Sequence, residues 1–254
     1  ALTLIILTYG METGFFRFAN HERWRDPGQV YTTTLLSLGA SSALFIIAGC
    51  MLSPSIARWL ECPGHPSFIW MMVIAVGVDA YTSVPFAYLR YKSRPVRFAT
   101  LKLVNIGVNI AFNLFFILLC PVIWQHSPEW IAWFYDPSFG VGYIFLANLI
   151  SSLVTLLLVI PEIFAENYNF NGRLLREMLR YSFPLLIIGI AGIMNQTIDK
   201  ILYPMLVPDK AEAMAGLGIY GANYKIAIVM VMFIQAFRFA YEPFIFARDT
   251  AKGG

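Results

Sequence analysis

The polar positions of this chain are bunched, and the bunching divides it into long apolar runs. No Asp, Glu, Lys or Arg lies between Asp26 and Arg58, between Lys102 and Glu129, or between Asp136 and Glu162. Charge-free apolar runs longer than about 18 residues are candidates for membrane-spanning helices. The pattern predicts seven spans, at 1–18, 31–58, 67–90, 101–124, 141–164, 183–206 and 219–247. Proline and glycine mark the joints, at Asp26-Pro27-Gly28, at Cys62-Pro63-Gly64-His65-Pro66, and at Asp136-Pro137 before Gly140. Pro85, Pro161, Pro204 and Pro243 fall near span ends, where neighbouring helices satisfy the freed backbone.

Within the spans, polar residues recur at helical spacing. Asn105, Asn109 and Asn113 share one face, and Lys102 begins the same stripe. Asn148, Ser151, Ser152 and Thr155 do likewise, as do Asp79 with Ser83 and Asn195 with Asp199. Such faces point at other helices or at water. A single Asn or Ser is accounted for as interhelical hydrogen-bond glue, at about 1 kcal/mol. For the set that account weakens, because four spans would all need polar glue.

Composition supports the same class. Hydrophobic residues make up 58% of the chain and charged residues 13%, against about 25% charged in a soluble domain. The expected fold is all-α: a polytopic membrane protein of about seven transmembrane helices. The cysteines Cys50, Cys62 and Cys120 form no CxxC pair, and His21, His65 and His126 lie between apolar runs. Neither a metal nor another cofactor is expected.

Charge sets orientation. Thirteen of the 18 basic residues follow the first, third, fifth and seventh spans, while the opposite loops hold only Arg58 and Lys210. By the positive-inside rule the thirteen face the cytoplasm. Loops 19–30, 91–100 and 165–182 are then cytoplasmic and Cys62 is external. A membrane-impermeant thiol reagent is expected to label Cys62 in intact cells; labelling of a cysteine introduced at Ser93 instead would invert the topology. This orientation puts residue 1 outside, which, with no initial Met, predicts an earlier span, and the ending Ala251-Lys252-Gly253-Gly254 reads as a cut through a cytoplasmic loop. The basic excess of +3 belongs to inner loops facing anionic lipid. No basic stripe with stacking aromatics suggests nucleic acid. Trp124, Trp130, Trp133, Phe134 and Tyr135 form an interfacial belt, and 125–140 is a candidate for a helix lying on the surface.

Ionisable residues inside a membrane are functional-site candidates. Here they are Glu12, Asp79, Asp199, Lys200, Lys225, Arg238 and Glu242. Arg238 and Glu242, at i and i+4, are expected to pair. Lys200 and Lys225 have no acid facing them on their own helix. Depth along the helices puts both lysines in the outer half of the bilayer, with Asn195, Gln196 and Asn223 nearby. They are expected to line the outer part of a cavity and hold an anionic head group, with Arg17 and Arg238 at its inner end. Asn105, Asn109 and Asn195 are candidate polar contacts, and Glu12, Asp79 and Asp199 are candidate ion-coupling carboxylates.

Phe16-Arg17-Phe18-Ala19 returns as Phe237-Arg238-Phe239-Ala240. Parallel repeats build the two halves of many transporters. The repeat predicts an N-terminal lobe over 1–164, a cytoplasmic linker at 165–182, and the first two helices of a second lobe at 183–254.

The runs YGMETGFFRFAN, PFAYLRYKSRPVRFATLKLVNIGVNI, YSFPLLIIGIAGIMNQTIDKILYPML and YGANYKIAIVMVMFIQAFRFAYEPFIFA resemble polysaccharide biosynthesis proteins: the Wzx-type lipid-linked oligosaccharide flippases of the MATE-like (MOP) exporter superfamily. The resemblance covers most of the chain through span order and loose patterns, without a catalytic signature. It implies two helical bundles around a central cavity and alternating access. It also implies export of undecaprenyl-pyrophosphate-linked oligosaccharide across the bacterial inner membrane for polysaccharide or lipopolysaccharide synthesis. Its implied partners are the lipid-linked substrate, the bilayer and polysaccharide assembly proteins. A cation-coupled exporter of drugs or metabolites is the alternative within transport. A membrane-embedded glycosyl- or acyltransferase would want a catalytic loop with His or paired acids, and neither 125–140 nor 165–182 offers such a set; the expectation is a transporter rather than an enzyme.

Overall fold

The computed structural model describes residues 2–20, 26–59, 66–126, 129, 132 and 134–251, with the side chains at 58, 59, 196, 210, 211, 235, 236 and 238–251 left out of the description. Its helices are α1 (Leu2–Thr8), α2 (Met11–Ala19), α3 (Pro27–Trp59), α4 (Pro66–Tyr91), α5 (Pro95–Leu114), α6 (Cys120–His126), α7 (Gly142–Ile163), α8 (Gly172–Leu206) and α9 (Lys210–Ala251). A π-helical turn, Phe115–Leu119, joins α5 to α6, and a 3-10 turn, Pro137–Phe139, precedes α7. Among the described residues there is no strand. Among the described residues, six segments are long and apolar enough to cross a membrane: Pro27–Ala57, Pro66–Tyr91, Pro95–His126, Gly142–Ile163, Gly172–Asn195 and Glu212–Ile234. The chain is an all-helical, multi-pass membrane protein.

The first of the seven expected spans is not one helix. Tyr9 (φ 34) and Gly10 (φ 70) both take left-handed backbone and split residues 1–18 into α1 and α2. Positive φ is ordinary for glycine and uncommon for tyrosine, so surrounding packing holds it. Tyr9 hydroxyl and Ser37 Oγ are hydrogen-bonded at 2.8 Å. A Cβ on Gly10 would lie 3.1 Å from Leu185 Cβ and 3.2 Å from the Ser182 carbonyl, which shows how closely α8 crosses the break.

Two compact units divide the chain, Ala1–Ala191 and Gly192–Gly254. In the first, α4 is the central helix, packed against α1, α2, α3, α5 and α7. Its small residues allow this. A Cβ on Gly77 would meet Ile46 Cγ1 at 2.5 Å, and one on Gly49 of α3 would meet Val73 Cγ1 at 2.6 Å, so each helix of the pair receives a β-branched side chain from the other. A core at one end joins Met11 and Phe15 of α2, Tyr31 and Leu35 of α3, Val84 and Leu89 of α4, Val159 of α7 and Met178 of α8. A second, aromatic core at the α5–α6 and α7 junction gathers Phe116, Cys120, Tyr135 and Tyr143, with Trp124 and Phe134 against it. Part of the expected aromatic belt is thus packed inward; Trp130 and Trp133 lie outside the described residues. Of 125–140, expected to carry a surface helix, α6 ends at His126 and the described remainder holds the short Pro137–Phe139 turn.

The segment after α7 is hydrogen-bonded to α3 and α4. Thr32 Oγ1 donates to the Asn169 carbonyl at 3.2 Å, and the Asn171 N–H donates to Thr33 Oγ1 at 3.2 Å. Tyr88 hydroxyl donates to Glu166 Oε1 at 2.6 Å, and Lys92 pairs with the same oxygen at 3.3 Å. The Tyr88 hydrogen bond, followed by the Lys92 contact, holds the Glu166 carboxyl below the usual carboxylate range. From Gly172 onward the expected 165–182 linker is helical, and Leu174, Met178 and Ser182 are buried.

In the second unit, α8 continues from Gly192 to Leu206, turns at Val207-Pro208-Asp209, and leads into α9. Gly216 of α9 leaves room for the Tyr203 ring and hydroxyl of α8, where a Cβ would collide.

Candidate functional site

A cavity of about 450 Å³ opens inside the first unit at the meeting of α1, α2, α4, α5 and α7. The helix break makes part of its wall: Leu4, Ile5 and Thr8 precede it and Glu12 follows it. Thr8 Oγ1 donates to the Leu4 carbonyl at 3.0 Å, so a side chain takes up a main-chain acceptor near the break. Interrupted helices at membrane depth are tolerated where they are buried in protein or line a cavity.

The other walls carry charge. From α4 come Asp79, Thr82, Ser83, Phe86 and Arg90; from α5 come Phe98, Lys102 and Asn105; from α7 comes Thr155. The face shared by Asp79 and Ser83, legible as an i, i+4 pair, does line the cavity. Asp79 Oδ1 accepts a hydrogen bond from Ser152 Oγ at 2.7 Å. Glu12 forms an ion pair with Arg90, whose guanidinium also lies over Phe16 and Phe98 at 5.2 and 5.5 Å. Lys102 differs. Its ammonium lies 4.1 Å from the centre of the Phe86 ring, and among the described residues it has no ion-pair partner. Asn105 ties α5 to α7 by donating to Thr155 Oγ1 at 2.6 Å and to the Ser151 carbonyl at 3.3 Å.

The sequence-predicted residues divide into those brought together here and those placed elsewhere. Glu12, Asp79 and Asn105 share the cavity. Asn109 lies one turn beyond its lining, 3.5 Å from Asn148 Oδ1. Arg17 is exposed and lies over the Tyr181 ring at 4.1 Å, outside the lining. In the second unit, Asp199 accepts a hydrogen bond from Tyr220, and Lys200 lies over the Tyr224 ring at 3.6 Å. Both therefore have partners, supplied by α9, that a search along their own helix could not find. They fall just past the apolar stretch Gly172–Asn195 of α8. Asn195 and Lys225 are exposed. The side chains of Gln196, Arg238 and Glu242 lie outside the described residues, so the expected Arg238–Glu242 pair does too.

Two cavity cations escaped the candidate set. Arg90 and Lys102 read as inner-loop charges because they follow the third apolar run. The signal for Lys102 was present in its spacing with Asn105, Asn109 and Asn113. Among the described residues no group of three or more His, Cys, Asp or Glu is placed to hold a metal. No protein-family model, curated protein or solved structure matches this chain.

Proposed function

We propose that the chain belongs to a membrane transporter that moves a lipid-linked oligosaccharide from the inner to the outer leaflet of a bacterial inner membrane by alternating access. The supporting observation is the cavity between membrane helices, where Lys102, in no salt bridge among the described residues, stands beside Asn105, Thr82, Ser83 and Thr155. A cation outside any salt bridge in a cavity suits a pyrophosphate, and neutral hydroxyls and amides suit sugars. In this reading Glu12 and Asp79 balance the cations and are the groups through which an ion gradient acts. The sequence resemblance to Wzx-type flippases points the same way, and polysaccharide assembly proteins would be the partners.

One observation favours a second reading. Asp79 sits in the same cavity with a hydroxyl rather than a cation as its hydrogen-bond partner, a setting that suits a cation-coupled exporter of drugs or metabolites. Reconstitution of the full-length protein separates the two. Proteoliposomes carrying a fluorescent undecaprenyl-pyrophosphate-linked saccharide are expected to move it between leaflets, measured as a protected fraction that becomes accessible to a membrane-impermeant quencher. Uptake of lipophilic cations with no movement of the lipid-linked saccharide would replace the first reading by the second.

A further inference from the structure

Beyond the cavity, the α5–α7 interface carries carboxamides that the bundle does not close. The first rung is complete: Asn105 gives both amide hydrogens to α7, and Ser151 Oγ donates back to the Asn105 carbonyl at 2.8 Å. The next is open. Asn109 reaches Asn148 Oδ1 only at 3.5 Å, and Asn148 is exposed, its own amide hydrogens without a partner among the described residues. Asn113 turns its amide back onto Asn109, at 2.8 Å to the carbonyl and 3.0 Å to Oδ1, which leaves the Asn113 Oδ1 free.

Glue between helices would look like the first rung. An amide left open away from water costs about 1–3 kcal/mol, so the second and third rungs are built to meet something polar. That ligand is neutral, because no charged residue lies between Lys102 and Glu129. The row rises eight residues from Asn105 to Asn113, about 12 Å along the helix. Uncharged amides, which both donate and accept, suit the hydroxyl groups of a saccharide.

We propose that Asn109, Asn113 and Asn148 form a neutral-sugar subsite that takes the saccharide portion of the substrate as it extends out of the cavity. The inference rests on the lipid-linked saccharide reading above. Its order follows from α5 itself: the charged position, Lys102, comes first and the uncharged amides follow.

The test compares two substrates in proteoliposomes of the full-length protein, lipid pyrophosphate bearing one sugar and the same lipid bearing a longer oligosaccharide. Asn109→Leu/Asn148→Leu is expected to slow the oligosaccharide at least tenfold while the one-sugar substrate stays within twofold of wild type. Asn148→Ala, at an exposed side chain whose one interhelical contact is the long 3.5 Å one to Asn109, is expected to show the same selectivity at reduced size and covers failure of the double variant to fold. Equal losses on both substrates would mean the amides are interhelical glue, and no loss on either would mean they are idle; each overturns the subsite. If wild-type protein moves neither substrate, the transport reading itself fails and the subsite falls with it, a result distinct from those two patterns.

Discussion

Lys102→Gln in the full-length protein is expected to slow movement of a pyrophosphate-linked substrate at least tenfold, about 1.4 kcal/mol of lost stabilisation. Two cations line the cavity, and they are not equivalent. Arg90 is engaged by Glu12, so its charge is already balanced. Lys102 has no ion-pair partner among the described residues: Asp79 acts on it only from beyond salt-bridge distance, and its ammonium lies over the Phe86 ring, a contact worth roughly 0.5–2 kcal/mol that it can leave for an anion at small cost. Lys102→Arg keeps the charge and is expected to retain most of the rate, though a planar fork places its donors differently. The measurement is the initial rate of leaflet exchange at matched protein content. A wild-type rate for Lys102→Gln would remove Lys102 from the substrate path and leave the cavity charges a structural role.

Why Lys102 was legible only in part follows from how each kind of information is written in the chain. The helices and their solvent are local: a charge-free run such as 103–128 states both. The Asp79–Ser83 and Asn105 faces are also local, since helical spacing alone puts them on one side. The cavity is not local. It exists because α1 and α2 break apart at Tyr9 and Gly10, and that break depends on Ser37 of α3 and on Ser182 and Leu185 of α8. A tyrosine inside an apolar run carries no signal of left-handed backbone. The same limit applies to Asp199 and Lys200, whose partners Tyr220 and Tyr224 belong to the next helix. Arg90 was hidden by a rule that is correct on average, because basic residues after a span do mark the inner side. The rule counts charges, and it does not say which of them fold back over a cavity.

Arg97→Ala is expected to destabilise the first unit by about 2 kcal/mol, more than a surface ion pair would explain. Arg97 Nε donates to Glu162 Oε1 at 3.1 Å, and its Nη2 donates to the Leu158 carbonyl at 3.2 Å. The two sides of the pair sit in different surroundings: the Arg97 side chain is 45% exposed and that of Glu162 is 8% exposed. Glu162 Oε2 is buried without a hydrogen-bond partner. Removing the arginine would therefore leave a desolvated carboxylate with no donor at either oxygen. Stranding one member of a fully buried pair costs about 3–5 kcal/mol; the half-exposed arginine was already partly screened by solvent, which lowers the expected figure. The converse change is milder, because Glu162→Gln removes the charge that needs a partner and returns Arg97 to solvent. Thermal unfolding of the purified full-length protein in detergent would measure both variants and the double variant. Arg97→Ala/Glu162→Gln is expected to recover most of the loss. If the two losses simply add, the pair is not coupled, and the contact between α5 and α7 at this end is held by packing of Leu101 and Val159 in the core instead.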